Sequence, residues 1–335
     1  MWTDASCRRQ RGAALLVVLW LTAALSVIAF SVAMTVRGET ERTATDVEGL
    51  QSYYLAAGAV DRTVCYMLWG PQAKNPDGTS RYWAQGIPRL YHRFPEGDAV
   101  VEIIPASAKL NINLASEEEI VRLLVALGAE PARAQLIAAA VLDWRRPIPG
   151  PGLSSFDQRY LARTPSFRAR HASFQQVEEL LLVEGMTPEL FYGTYVRDAE
   201  GRLVRRSGLR DCVSVFGNNA AFDINTADPA LLRALGVPAP AVEEIVTLRR
   251  LRPLTVEDLN QFRRYAGPAA SRLAVGGNSI FTIRATARLR RQDGSLSDLR
   301  RSVAALVKLF GSGFQPPYQV LRWHDYAVAG DWNWP

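Results

Sequence analysis

From Ala13 to Met34 the chain runs through 22 residues without a charge, directly after Arg8-Arg9-Gln10-Arg11-Gly12. As a helix this run spans about 33 Å, against a hydrocarbon core of about 30 Å, so one membrane crossing fits. The arginines ahead of it hold the N-terminus on the cytoplasmic side and send the bulk of the chain across. Beyond Arg37-Gly38-Glu39 the pattern changes. Leu50, Tyr53, Tyr54, Ala57, Val60, Val64, Met67 and Leu68 recur at three- and four-residue steps, while Glu41, Arg42, Asp46, Glu48 and Arg62 fill other faces. That rhythm predicts one helical stripe packing on a sheet, ended by Gly70-Pro71. Gly38, Gly49 and Gly58 each weaken the helix by up to ~1 kcal/mol.

Alternating patterns supply the sheet. Asp98–Ile104, stopped by Pro105, is one strand; Ser279–Leu289, a turn at Asp293-Gly294, Leu296–Leu309 and Tyr318–Trp323 supply the rest. Between them helical units repeat. Lys109-Leu110-Asn111-Ile112-Asn113 leads through Ser116 into Glu117–Leu127 and Gly128, then Ala134–Trp144. Phe222-Asp223-Ile224-Asn225-Thr226-Ala227 leads through Asp228 into Pro229–Leu235 and Gly236, then Ala239–Arg250. Asn113/Ser116 and Asn225/Asp228 read as caps in register. A partial third copy runs from Phe174 through Gly185 to Leu190, and Leu254–Leu259 supplies a fourth short helix. Pro147–Gly152 is an irregular loop between them. The order implies an α+β fold: a long N-terminal helix on an antiparallel sheet, with a large α-helical domain inserted after the first strand.

The repeated units resemble helix-hairpin-helix modules. In nucleic-acid-binding versions two glycines let backbone N–H groups reach a phosphate. Here the turns, Leu127-Gly128-Ala129-Glu130 and Leu235-Gly236-Val237-Pro238, keep one glycine each, and Glu130 would face the phosphate. A structural role is the reading; a membrane-anchored DNA-binding or uptake protein is the alternative.

The N-terminus resembles the class III signal of type IV pilins and pseudopilins, with Gly12 between a basic leader and the apolar run. A secretory signal peptide would be shorter and end in a small-x-small site, which Ala33-Met34-Thr35 imitates poorly. The pilin resemblance implies prepilin peptidase cleavage after Gly12, and Ala13 as the new N-terminus, open to N-methylation. The fifth mature residue is then Val17, where major pilins carry a glutamate. An apolar residue there suits a tip subunit with no neighbour above it.

With Tyr54-Leu55-Ala56-Ala57-Gly58, Lys109–Asn113, Leu142-Asp143-Trp144, Asp157 with Tyr160, Val177–Leu180 with Gly185, Asp223–Ala227 and Leu321-Arg322-Trp323, the chain resembles the minor pseudopilin K family of type II secretion. The resemblance implies a pilin-like fold with an inserted α-domain and partnership with pseudopilins I and J at the tip of a pseudopilus. It also implies an inner-membrane anchor and a periplasmic C-terminal domain in a Gram-negative type bacterium. The division that follows is 1–12 leader, 13–34 transmembrane helix, 35–108 pilin-like part, 109–272 inserted α-helical domain and 273–335 closing strands. Some relatives bind calcium through carboxylates. This chain has Pro105-Ala106-Ser107-Ala108 and Arg145-Arg146 where many relatives have acids, which counts against such a site.

Charge and chemistry change little. A net charge of +6 over 335 residues, not gathered in a Lys/Arg-dense run, weighs against nucleic acid. Cys7 would leave with the leader; Cys65 and Cys212 stay as a pair that could bridge or remain free thiols. His92, His171 and His324 lack metal-ligand spacing, and no nucleophile-elbow, P-loop or dinucleotide motif is present. The sequence therefore predicts a non-enzymatic protein.

Overall fold

The structure, a computed structural model, describes residues 6–70, 72–148, 152–198, 200–277, 279–310 and 313–328, with side chains from Ala13 on. Part of the expected loop, Pro149–Pro151, lies outside the described residues.

Helix α1 runs unbroken from Ser6 to Trp69, 64 residues, or about 96 Å at ~1.5 Å per residue. Residues 13–47 are exposed throughout, and among the described residues the helix meets the rest of the protein from Glu48 onward. Its buried face is Gly49, Ser52, Ala56, Ala59, Val60, Thr63, Val64 and Met67. Leu50 and Tyr54, expected on the packing stripe, are instead 56% and 65% exposed. The seam is set by small residues at three- and four-residue steps. They let the helix axis approach the sheet closely, where large side chains would hold it off.

The sheet has five strands, Arg89–Phe94, Gly97–Pro105, Ile280–Leu289, Arg301–Leu309 and Tyr318–His324, paired antiparallel in that order. Strands β1 (Arg89–Phe94) and β2 (Gly97–Pro105) precede the insert. Strands β9 (Ile280–Leu289), β10 (Arg301–Leu309) and β11 (Tyr318–His324) follow it. Ala99, Val101 and Ile103 of β2, Phe281, Ile283, Ala285 and Ala287 of β9, and Val303, Ala305 and Val307 of β10 form one core with the α1 seam. Strand β1 was not anticipated, because His92 stands at an inward position and breaks the apolar alternation. The return strand starts at Arg301 rather than Leu296. The intervening segment is held elsewhere: Ser297 N–H donates to the Leu289 carbonyl (2.8 Å) and its hydroxyl to Glu48 on α1.

The inserted domain has its own core and is a duplication. The first unit is β3 (Leu110–Asn111), α2 (Glu117–Ala126), α3 (Pro131–Arg145), α4 (Ser155–Leu161), a 3-10 turn at Val177–Leu182, α5 (Pro188–Tyr192), the hairpin β4 (Thr194–Arg197)–β5 (Leu203–Arg206), α6 (Leu209–Cys212) and β6 (Val213–Ser214). The second is β7 (Phe222–Asp223), α7 (Pro229–Ala234), α8 (Ala239–Leu251), α9 (Val256–Arg263) and β8 (Leu273–Ala274). Each closes by a short parallel pair, β3 with β6 and β7 with β8. The expected third copy is therefore not a separate repeat, while the short helix expected at Leu254–Leu259 is α9. Phe174–Leu190 completes the first unit, and Leu254–Leu259 is its counterpart in the second. The insert abuts the sheet through Gly276-Gly277. A Cβ on Gly277 would lie 2.3 Å from Pro105 Cβ, so only glycine allows that approach.

Candidate functional site

The candidate functional features are surfaces, and three places carry them. The first is the N-terminal half of α1. Gly12 and Ala13 lie within its helical backbone. Val17 is 58% exposed, on a continuous apolar surface with Leu16, Trp20 and Leu21. The helix is long and apolar enough to cross a membrane, with no residue of its most apolar window buried.

The second is a groove of about 550 Å³ beside the packed half of α1, lined by Gln51, Tyr54, Leu55 and Gly58 with Phe94, Glu96, Leu289 and Arg290. Gly58 has open space where a side chain would stand. Tyr54 and Gly58, which sequence reasoning placed on the spine, therefore face outward along this groove rather than into the core.

The third is the hairpin turns of the insert. Ser116 caps α2 with a reciprocal bond from Glu119, and Asp228 caps α7 by accepting from Ala230 N–H (2.8 Å). Asn113 and Asn225, expected as caps, do something else. Asn113 exchanges two hydrogen bonds with the Phe174 backbone (2.9 and 2.8 Å), and Asn225 does the same with Leu254 (3.0 and 2.8 Å). Each ties the start of its unit to the far segment. At the N-terminus of α3, where a phosphate would sit, the Glu130 carboxylate accepts from Ala132 N–H (3.1 Å) and Arg133 N–H (3.0 Å). The Arg206 guanidinium covers Gly128 in the same turn. The hairpin is thus capped by its own anion, which opposes a nucleic-acid phosphate there.

The remaining candidate side chains are tied into the fold. Cys65 and Cys212 are free thiols, not a bridge: Cys65 is half-buried on α1, and Cys212 is buried in the core of the insert. Burial, then the charges of Asp228 and Asp211, push the Cys212 thiol well up. His92 packs between α1 and β1, with Nε2 2.9 Å from Thr63 Oγ1, and burial followed by the Arg62 charge lowers its pKa to about 4. His171, at φ 48°, sets Nε2 2.8 Å from the buried Asp157 carboxylate. Burial pushes Asp157 upward, but the hydrogen bonds from His171, Ser154 and Ala169 outweigh it and hold the carboxyl below its usual range. Asp143 accepts from the Ser154 hydroxyl (2.8 Å). Among the described residues no three His, Cys, Asp or Glu side chains gather as a metal site.

The fold defines the class: a long, half-exposed N-terminal helix laid on an antiparallel sheet, the pilin-like arrangement, here enlarged by an inserted α-domain. Within that class the chain is similar to type II secretion system protein K. A family model of that description matches residues 101–193. Curated relatives of that name are 31% identical over 204 residues in Klebsiella pneumoniae and 28% identical over 202 residues in Pectobacterium carotovorum subsp. carotovorum. Each match covers 55% of this chain and 60% of the relative. The chain thus spans less than two thirds of the length of these curated relatives. A crystal structure of the GspK-GspI-GspJ complex from enterotoxigenic Escherichia coli aligns at a TM-score of 0.52 and 17% identity, covering 86% of this chain and all of that one. It bears out the α+β fold.

Proposed function

We propose that this protein is a minor pseudopilin that helps initiate and cap a type II secretion pseudopilus. The single observation that carries this is α1. From Ala13 to Met34 it presents an exposed, charge-free surface that touches no other element among the described residues, and from Gly49 one face of it is buried on a sheet. A helix so divided serves two environments, a bilayer and a packed domain. The resemblance to protein K and to a chain solved with two others in the GspK-GspI-GspJ complex supports the same reading.

In this reading prepilin peptidase cuts after Gly12, Ala13 becomes the N-terminus, and Val17 is the fifth mature residue, suited to a terminal position. The helix anchors the protein in the inner membrane with residues 35–335 in the periplasm. The insert, residues 109–272 together with the closing strand β8 (Leu273–Ala274), is a unit of its own between the pilin-like parts, abutting the sheet at Gly276-Gly277. The groove along Tyr54 and Gly58 faces sister pseudopilins of the I and J type. No catalytic step enters this role.

Mass and N-terminal sequence of the membrane-extracted protein, with and without prepilin peptidase, test the reading. A start at Ala13 that is lost in Gly12→Val is the expected result. A start at Met1 in both backgrounds, or one beyond Met34, would sink it.

A further inference from the structure

The two units of the insert share one more device. Arg145, at the end of α3, donates from Nη1 to the Ile112 carbonyl (2.5 Å) and from Nη2 to the Ala115 carbonyl (2.6 Å). Arg249, near the end of α8, donates from Nη1 to the Ile224 (3.1 Å) and Ala227 (2.6 Å) carbonyls. Ile112/Ala115 and Ile224/Ala227 occupy the same positions in the duplicated units, in the turn between the closing strand and the first helix. Each guanidinium therefore binds two loop carbonyls that helix and sheet leave without a donor, and both arginines are half-buried where they do so. A carbonyl pair facing a helix end is an environment for a cation, and here the chain provides it covalently.

We propose that Arg145 and Arg249 are fixed cations that close the two halves of the insert, so that this domain folds and holds its shape without a bound divalent ion. The donor set agrees. Calcium requires six to eight oxygens, largely carboxylate, and at each clamp it would meet two carbonyls and a positive charge already in place. The nearby acids are occupied by their own donors. Asp143 takes the Ser154 hydroxyl, Asp157 takes His171 and the backbone N–H groups of Ser154 and Ala169, and Asp228 takes Ala230 N–H and the Ser207 hydroxyl. The insert positions outside the described residues, Pro149, Gly150, Pro151 and Ala199, bring no carboxylate. The calcium that the family resemblance implies does not fit this domain.

The test is thermal unfolding of the detergent-solubilised full chain in EGTA and in a millimolar excess of calcium chloride, for the wild type, Arg145→Met and, as a control, Arg146→Gln. The wild-type Tm is expected to be the same in both buffers, Arg145→Met to lose several degrees equally in both, and Arg146→Gln to match the wild type. A wild-type Tm several degrees higher in calcium would overturn the proposal, as would an Arg145→Met protein as stable as its parent. If Arg145→Met fails to fold, calorimetric titration of the wild type with calcium decides. Absence of heat upholds the proposal, and saturable binding that raises Tm refutes it.

Discussion

Ser52 and His92 are polar residues placed in the seam between α1 and the sheet, and they act in opposite ways. Ser52 is fully buried and its hydroxyl has no hydrogen-bond partner among the described residues. Such a group costs about 1–3 kcal/mol when left unmade. Ser52→Ala keeps the close helix–sheet approach and removes the orphan, so urea unfolding should show stability unchanged or raised by about 1 kcal/mol. A loss of stability would show that the hydroxyl is bonded in solution. His92, in contrast, is bonded but must stay neutral. Its pKa lies at about 4 in the folded protein against an ordinary 6.5. The unfolded chain therefore takes up the proton first on acidification, and stability contributed by the neutral ring falls as pH drops from about 6.5 toward 4. Melting curves across that window should show a fall that is smaller in His92→Phe; equal slopes would remove His92 as the cause.

At the scale of elements, the sequence made the helices of the insert legible because their signals are local. Ser116 with Glu119, Pro229 after Asp228, and Gly128 and Gly236 after their helices all stand where the structure uses them. What it could not disclose is the partner across the unit. Asn113 and Asn225 look like caps from their spacing, yet each spends its amide on a backbone segment distant in sequence. Asn225 links β7 to the segment entering α9, and its loss leaves the buried Leu254 N–H and C=O unpaired. Asn225→Ala should cost about 2–4 kcal/mol, the sum expected for two lost bonds to buried backbone groups. Hydrogen exchange would show the Leu254 amide losing protection, whereas retained protection would contradict the assignment. The stripe on α1 holds at Val60, Val64 and Met67 and departs at two positions for a related reason. Leu50 and Tyr54 are the more hydrophobic residues, but Gly49, Ser52 and Ala56 are the ones small enough for the contact.

For the whole molecule, the order strands, helices, strands along the chain was enough to foresee an α+β fold with an insert, since a sheet cannot be completed without returning to it. Of the candidate site, the exposed apolar run beginning at Ala13 was readable from charge and hydropathy, because a bilayer selects on those properties; Gly12, Ala13 and Val17 as processing positions rest on the pilin resemblance. The groove at Tyr54 and Gly58 was not, since it depends on how Phe94, Leu289 and Arg290 are brought beside α1 by β-pairing.

The central strand pair has a kinetic consequence. Strand β2 aligns with β9 so that Pro105 lies opposite Phe281, with the whole insert between them. During synthesis β1 and β2 emerge with only α1 to pack on. Strand β9 follows once the helical units of the insert have been made, so the sheet closes across a long loop, whose entropic cost grows with its length. By collapsing, those units bring the two chain ends together and shorten the loop that the sheet must close. With the insert folded, Gly277 lies against Pro105, so the entropic cost of joining β2 to β9 is lowered by the helices between them.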